Sequence, residues 1–245
     1  MQFSQTSTVL PLLDELRSLM SKKPCPLSQC GDLLSQLKLA ALMFESTITG
    51  NSATAEEETL LFQEILERSC LIAIHSQDPQ LFLRNFHQLE GVYSSPHLKS
   101  QSPNHNLLLA CYLLSLLAEN NLSEFHIKLD MLSHEIKQDP LVHFAIKLER
   151  SLMEGAYFFL NESMSNLPTP EFQPFIDLVI STTREDVAEC IERSFETLPL
   201  SQVAQLLSLG EKEAVRFVKE HGWQVKVIRW SRLQRSRYQS RFSQL

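Results

Sequence analysis

The stretch Pro199-Leu-Ser-Gln-Val-Ala-Gln-Leu-Leu-Ser-Leu-Gly210-Glu-Lys-Glu-Ala-Val-Arg-Phe-Val-Lys-Glu-His-Gly222-Trp-Gln-Val-Lys-Val-Ile-Arg-Trp230 decides how this 245-residue chain ends. Residues 199–209 carry a short helical pattern, Gly210 interrupts it, and residues 211–221 resume a helix. From Trp223 to Trp230 the apolar positions alternate instead, with Trp223, Val225 and Val227 on one face as in a strand. Helix, tight glycine turn, helix and strand is the order in which a winged helix-turn-helix opens.

Upstream of this stretch the pattern is helical throughout. Leu12, Leu13, Leu16, Leu19 and Met20 form one stripe, closed by Pro24-Cys-Pro26. Leu33, Leu34, Leu37, Ala40, Ala41 and Phe44 form a second, before a polar gap at 50–54. Leu61, Phe62, Ile65, Leu66 and Ile72 form a third, which should stop at Asp78-Pro79. A fourth runs through Leu81, Phe82, Phe86 and Leu89, ahead of a loose stretch at 91–103. Residues 107–117 are apolar nearly all round, which predicts a helix buried between neighbours. Asn121-Leu-Ser-Glu124 then turns the chain into a helix carrying Phe125, Leu129 and Leu132. Asp139-Pro140 and Thr169-Pro170 read as helix starts, and Thr183 with Asp186 as a capping box.

Composition supports this reading. The chain holds 42 leucines and only 6 glycines, too few of the latter for hairpin turns or phosphate-cradling loops. β-Sandwiches, dinucleotide folds and P-loop enzymes are thereby excluded. Helices with one greasy face bury it by stacking, as a helical-repeat solenoid or a bundle, so the fold class is mainly α.

The formal charge is −7, and its distribution is uneven. Residues 1–225 hold sixteen basic against twenty-nine acidic side chains, while the last twenty residues hold six basic and no acidic ones. Five cysteines without a Cys-x-x-Cys pair suit a reducing compartment. The first residues lack the basic and continuous apolar segments of a secretory signal, and the longest greasy run is too short for a bilayer span. These features are those expected of an intracellular protein without a membrane partner.

Candidate chemistry is sparse. The eight histidines form no His-x-His or HExxH motif, and His75, His87, His126 and His143 fall on helices where solvated rings are the plain reading. Cys25 and Cys30 have no further ligands at zinc spacing. No nucleophile elbow is present, and Glu56-Glu57-Glu58 reads as a solvated helix start. The expectation is a chain with no catalytic, cofactor or metal residues and no small-molecule substrate. A winged helix can also read DNA, but residues 211–220 balance Lys212, Arg216 and Lys219 against Glu211, Glu213 and Glu220. That neutral face suits phosphates poorly, so nucleic acid is the lesser alternative. A helical stack and an exposed strand edge suit protein partners.

Helical repeats leading into a winged helix resemble PCI domains, which occur in the proteasome lid, the signalosome and a translation initiation complex. Cys30-Gly-Asp-Leu-Leu-Ser-Gln-Leu-Lys-Leu39, Leu116-Leu-Ala-Glu-Asn-Asn-Leu-Ser-Glu-Phe-His126, Leu148-Glu-Arg-Ser-Leu-Met-Glu-Gly-Ala-Tyr157, Cys190-Ile-Glu-Arg-Ser-Phe195, Phe-Ile-Asp177 and Gly222-Trp223 narrow this further. They resemble the 26S proteasome non-ATPase regulatory subunit 8 family, the smallest PCI subunits of the lid, over residues 11–225. The resemblance implies a right-handed, TPR-like helical stack followed by a winged-helix subdomain. It also implies a non-catalytic scaffold, cytoplasmic and nuclear, bound by other PCI subunits of the regulatory particle in ubiquitin-dependent degradation. PCI subunits of the signalosome or of translation initiation are the other members of that plan. Subunits of this kind associate through their winged-helix sheets, which assigns Trp223, Val225 and Val227 to the protein interface. The expected organisation is a helical-repeat region at 1–165, C-terminal helices and winged helix at 166–230, and a basic tail at 231–245. From Ile228 onward the arginine-serine-glutamine sequence departs from the family, which continues into a helix that joins a bundle with other lid subunits.

Overall fold

Each helix start that the sequence marks with an acid or amide and a following break is made by that side chain. Asp78 accepts the Leu81 N–H, Asn121 the Glu124 N–H and Asp139 the Leu141 N–H, satisfying amides that have no intrahelical partner. In the computed structural model, residues 3–20, 27–41, 55–94, 102–155 and 166–224 are described. The helices among them are α1 (Phe3–Met20), α2 (Leu27–Ala41), α3 (Ala55–His75), α4 (Pro79–Tyr93), α5 (His105–Ala118), α6 (Leu122–Met131), α7 (His134–Gln138), α8 (Pro140–Met153), α9 (Gln173–Ser194), α10 (Leu200–Leu206) and α11 (Glu211–Glu220). A 3-10 turn, Pro170–Phe172, leads into α9. No strand occurs among the described residues, and the chain is mainly α. The chain divides into two compact units, Met1–Asp186 and Val187–Leu245.

In the first unit α3 is a shared wall. Ile65 and Ile72 face a core made with Val9, Leu13 and Leu16 of α1 and Cys30, Leu34 and Leu37 of α2. Leu66, Cys70, Ala73 and Ile74 face a larger core with α4, α5, α6, α8 and the first half of α9. The two sets interleave at helical spacing, so α3 is apolar on two sides. As expected from 107–117, α5 is buried from Leu108 through Ala118. Phe82 of α4 is fully buried, with its ring centroid 5.0 Å from Phe175 of α9 in an edge-on arrangement.

Polar groups cross between these helices. Arg17 of α1 forks onto Glu64 of α3 (Nε–Oε1 2.8 Å, Nη2–Oε2 2.6 Å). Lys38 of α2 donates to Oδ1 of buried Asn85 on α4 at 2.7 Å, and burial lowers the affinity of that ammonium for its proton. On α5, Tyr112 stacks against Phe86 with centroids 4.4 Å apart and donates its hydroxyl to Glu124 of α6 at 2.6 Å. Glu90 of α4 pairs with Lys128 of α6.

One expected helix start is corrected, and the start at Thr169-Pro170 is present without its side-chain cap. Thr183 and Asp186 lie inside α9, which continues to Ser194. The Thr183 hydroxyl donates back to the Val179 carbonyl at 2.7 Å instead of capping a new helix. Thr169 precedes the 3-10 turn but makes no side-chain capping bond. The expected loose stretch also begins later than Gly91, because α4 runs to Tyr93. The breaks at 24–26 and 50–54, and Phe44, lie outside the described residues.

Candidate protein interface

The second unit is built from the last turns of α9 with α10 and α11. Val187, Ala188 and Ile191 on α9, Val203, Ala204 and Leu207 at α10, and Ala214 and Val218 on α11 are its buried apolar positions. α10 is closed off by Ser208, two residues beyond its end, whose φ of +50° lets the Leu209 N–H reach back to the Ala204 carbonyl. Gly210 then turns the chain into α11, its N–H donating to the Glu213 carboxylate at 3.3 Å. The expected helix, glycine and helix are therefore present in order.

α11 closes with a tight C-terminal cap. Gly222 has φ +70°, its N–H bonds the Lys219 carbonyl, and the Trp223 N–H bonds the Val218 carbonyl. This cap fixes the backbone from which Trp223 projects. Its half-buried indole donates Nε1–H to Oε1 of Glu192 on α9 at 2.5 Å. Phe217 and His221 stack with centroids 4.0 Å apart, and the Trp223 ring lies edge-on to Phe217 at 6.3 Å. The amide-bonded cap, the indole hydrogen bond and the ring cluster together hold a large aromatic side chain in one orientation. Val225 and Val227, the other two interface candidates, lie outside the described residues, as does the expected strand from 225 onward.

Periodicity carries a further signal that the sequence reading left unused. Val187, Ile191 and Phe195 share one stripe at four-residue spacing; the first two are buried, yet Phe195 is 51% exposed. Leu206 on α10 is 42% exposed. The apolar stripe of α9 thus outruns the elements that cover it and leaves the Phe195 ring exposed.

The remainder of the described surface offers little chemistry. His75, His87, His126 and His143 are exposed on their helices, and no group of three or more His, Cys, Asp or Glu side chains among the described residues is placed to hold a metal ion. An open groove of about 340 Å³ in the first unit is lined by Ala73, Ile74, Pro79, Phe175 and Leu178. Its two acids are engaged, Asp78 in capping α4 and Asp177 in accepting from Gln173. On α11, Arg216 lies 4.0 Å from Glu220, which leaves its outer face mixed in sign. No helix among the described residues is long and apolar enough to cross a membrane.

Sequence comparison decides the family. The model of the CSN8/PSMD8/EIF3K family matches residues 103–235, a span that takes in all of α5 to α11 and Trp223. The chain belongs to this family. It is 34% identical over 203 residues to an Arabidopsis thaliana protein named 26S proteasome non-ATPase regulatory subunit 8 homolog A, covering 80% of this chain and 76% of that protein. It is 33% identical over 208 residues to the Saccharomyces cerevisiae 26S proteasome regulatory subunit RPN12, covering 80% and 75%. A Caenorhabditis elegans 26S proteasome non-ATPase regulatory subunit 8 is 29% identical over 170 residues, covering 69% and 67%. The family match reaches residue 235.

Proposed function

We propose that this chain is a non-catalytic subunit of the 26S proteasome regulatory particle, within its lid, where it supports assembly for ubiquitin-dependent protein degradation. One observation carries the reading: its relatives named as proteasome regulatory subunits align over three quarters of their own length at 33–34% identity. Their names describe regulatory and non-ATPase subunits, in keeping with a scaffold role.

The finer architecture belongs to the same proposal. A right-handed helical-repeat stack occupies 1–165, a winged helix completes the PCI plan within 166–230, and 231–245 forms a basic tail. Other PCI subunits of the regulatory particle are the partners, and cytoplasm and nucleus the locations. Trp223, Val225 and Val227 form the contact, with Trp223 presented by the cap of α11 and its bond to Glu192.

Affinity purification of the tagged full chain from cells, followed by size fractionation and mass spectrometry, tests the reading. The expected result is co-purification with lid and base subunits in a megadalton particle. Migration as a free chain, or recovery with signalosome or initiation-factor subunits alone, refutes it. Trp223→Ala should reduce incorporation while Arg193→Ala, on the exposed side of α9, leaves it unchanged.

A further inference from the structure

Glu67 sits in the middle of α3 and is only 3% exposed. Its carboxylate accepts four hydrogen bonds from described residues: Gln63 Nε2 (2.7 Å) and the Tyr93 hydroxyl (3.1 Å) on Oε1, and the Ser102 hydroxyl (2.8 Å) and Asn104 Nδ2 (3.1 Å) on Oε2. All four donors are neutral. A buried carboxylate is normally kept in place by a cation or by enough donors to replace its water; among the described residues its hydrogen-bond partners are these four donors. The clasp joins α3 to the last residue of α4 and to the entry of α5, and it reaches the Tyr93 phenol, whose proton is held more firmly by burial and by the Glu67 charge.

Such a site accommodates one negative charge and no second. One of its donors, half-buried Ser102, is followed directly by the exposed Pro103, the acceptor-proline pair that proline-directed protein kinases select. We infer that Ser102 is a phosphoacceptor and that its phosphate opens the Glu67 clasp. The terminal phosphoryl group of a nucleoside triphosphate passes to Ser102 Oγ: the Oγ–P bond forms, the bond to the diphosphate breaks, and the hydroxyl proton leaves to the kinase base. The modified oxygen no longer donates, and a dianion stands where a hydroxyl lay 2.8 Å from a buried carboxylate. The nearby N-terminus of α5 favours an anion through its partial charge, but a full charge at hydrogen-bond distance in a buried site outweighs a half charge at a helix end. Because the hydroxyl is engaged in the closed clasp, modification takes place in the opened state and then holds it open.

The test uses the full chain, a proline-directed kinase and magnesium ATP, with peptide mapping to separate Ser102 from Ser95-Pro96. Expected are phosphate on Ser102, its loss in Ser102→Ala, and a fall in melting temperature of about 3–6 °C for the phosphorylated chain or for Ser102→Glu. Amides 104–110 should exchange at least tenfold faster. In a Glu67→Gln background the same change should cause less than half that fall, since an amide can donate to the new anion. Should Ser102→Glu fail to fold alone, wild-type chain phosphorylated after folding supplies the same comparison. Absence of phosphate on Ser102, or an undiminished fall in the Glu67→Gln background, overturns the inference.

Discussion

The guanidinium of Arg17 on α1 meets the carboxylate of Glu64 on α3 in a two-pronged contact, 2.8 Å through Nε and 2.6 Å through Nη2, across 47 residues of sequence. Burial alone would raise the Glu64 pKa; the hydrogen bonds and charge of Arg17 reverse this and hold it below the ordinary glutamate value of 4.5. Arg17→Ala should therefore destabilise the first unit by roughly 1 kcal/mol at pH 7, a modest figure because Arg17 is 43% exposed and solvent screens the pair. A depressed carboxylate contributes stability above its unfolded pKa and loses it as pH falls through the folded value. The gap between wild type and variant in urea midpoints should narrow as pH falls below 4.5.

The alkaline flank has the opposite sign. Burial, then the Glu67 charge and hydrogen bond, raises the Tyr93 pKa, and burial with the Glu124 hydrogen bond raises that of Tyr112. A raised folded pKa supplies stability that is present below the unfolded value and lost as pH climbs past it. Unfolding midpoints should decline above pH 10, the ordinary tyrosine value. Absorbance titration should show at least two of the four tyrosines, Tyr93 and Tyr112, ionising only as the chain unfolds. Early ionisation of all four would count against the buried phenol contacts.

Thiol reactivity should sort by burial. Cys70 and Cys111 are enclosed, and burial pushes the Cys70 thiol up to about 12 and raises that of Cys111 as well. At pH 8 an ordinary thiol is about a quarter ionised, whereas one near 12 is ionised to about one part in ten thousand. In a Cys25→Ser chain, exposed Cys190 should react with a disulfide reagent far faster than enclosed Cys70 or Cys111. Comparable rates for all three would show that the first unit opens readily.

Backbone sign decides two turn substitutions in opposite directions. Gly222 has φ +70° with open space around it, so Gly222→Ala meets no clash but strains the cap of α11; a loss of about 1 kcal/mol is expected. Gln77 holds φ +57° at the end of α3, and Gln77→Gly should gain a few tenths of a kcal/mol. Calorimetry on both variants checks the pair.

Much of the helical order was legible because its signals are local. Asp78-Pro79, Asn121 and Asp139-Pro140 state where helices begin, and the unbroken apolar run at 107–117 announces burial. Thr183 misled because a hydroxyl inside a helix can bond back to the preceding turn. The polar clasps were illegible for a different reason: Glu67 is completed by Ser102 and Asn104, more than 30 residues away. At the candidate interface Trp223 was identifiable, but its anchor Glu192, 31 residues earlier, became visible only once α9 and α11 were folded together.

At two corners the chain changes direction without a linker. Gln77 closes α3 in a left-handed conformation and Asp78, the next residue, opens α4; Asn120 and Asn121 do the same between α5 and α6. One residue inserted between either pair would part the left-handed residue from its capping neighbour and break the bond from the Asp78 N–H to the Ala73 carbonyl, or from the Asn121 N–H to the Leu116 carbonyl. These joints therefore leave no slack for extra residues: length variation within this family should collect elsewhere in the chain.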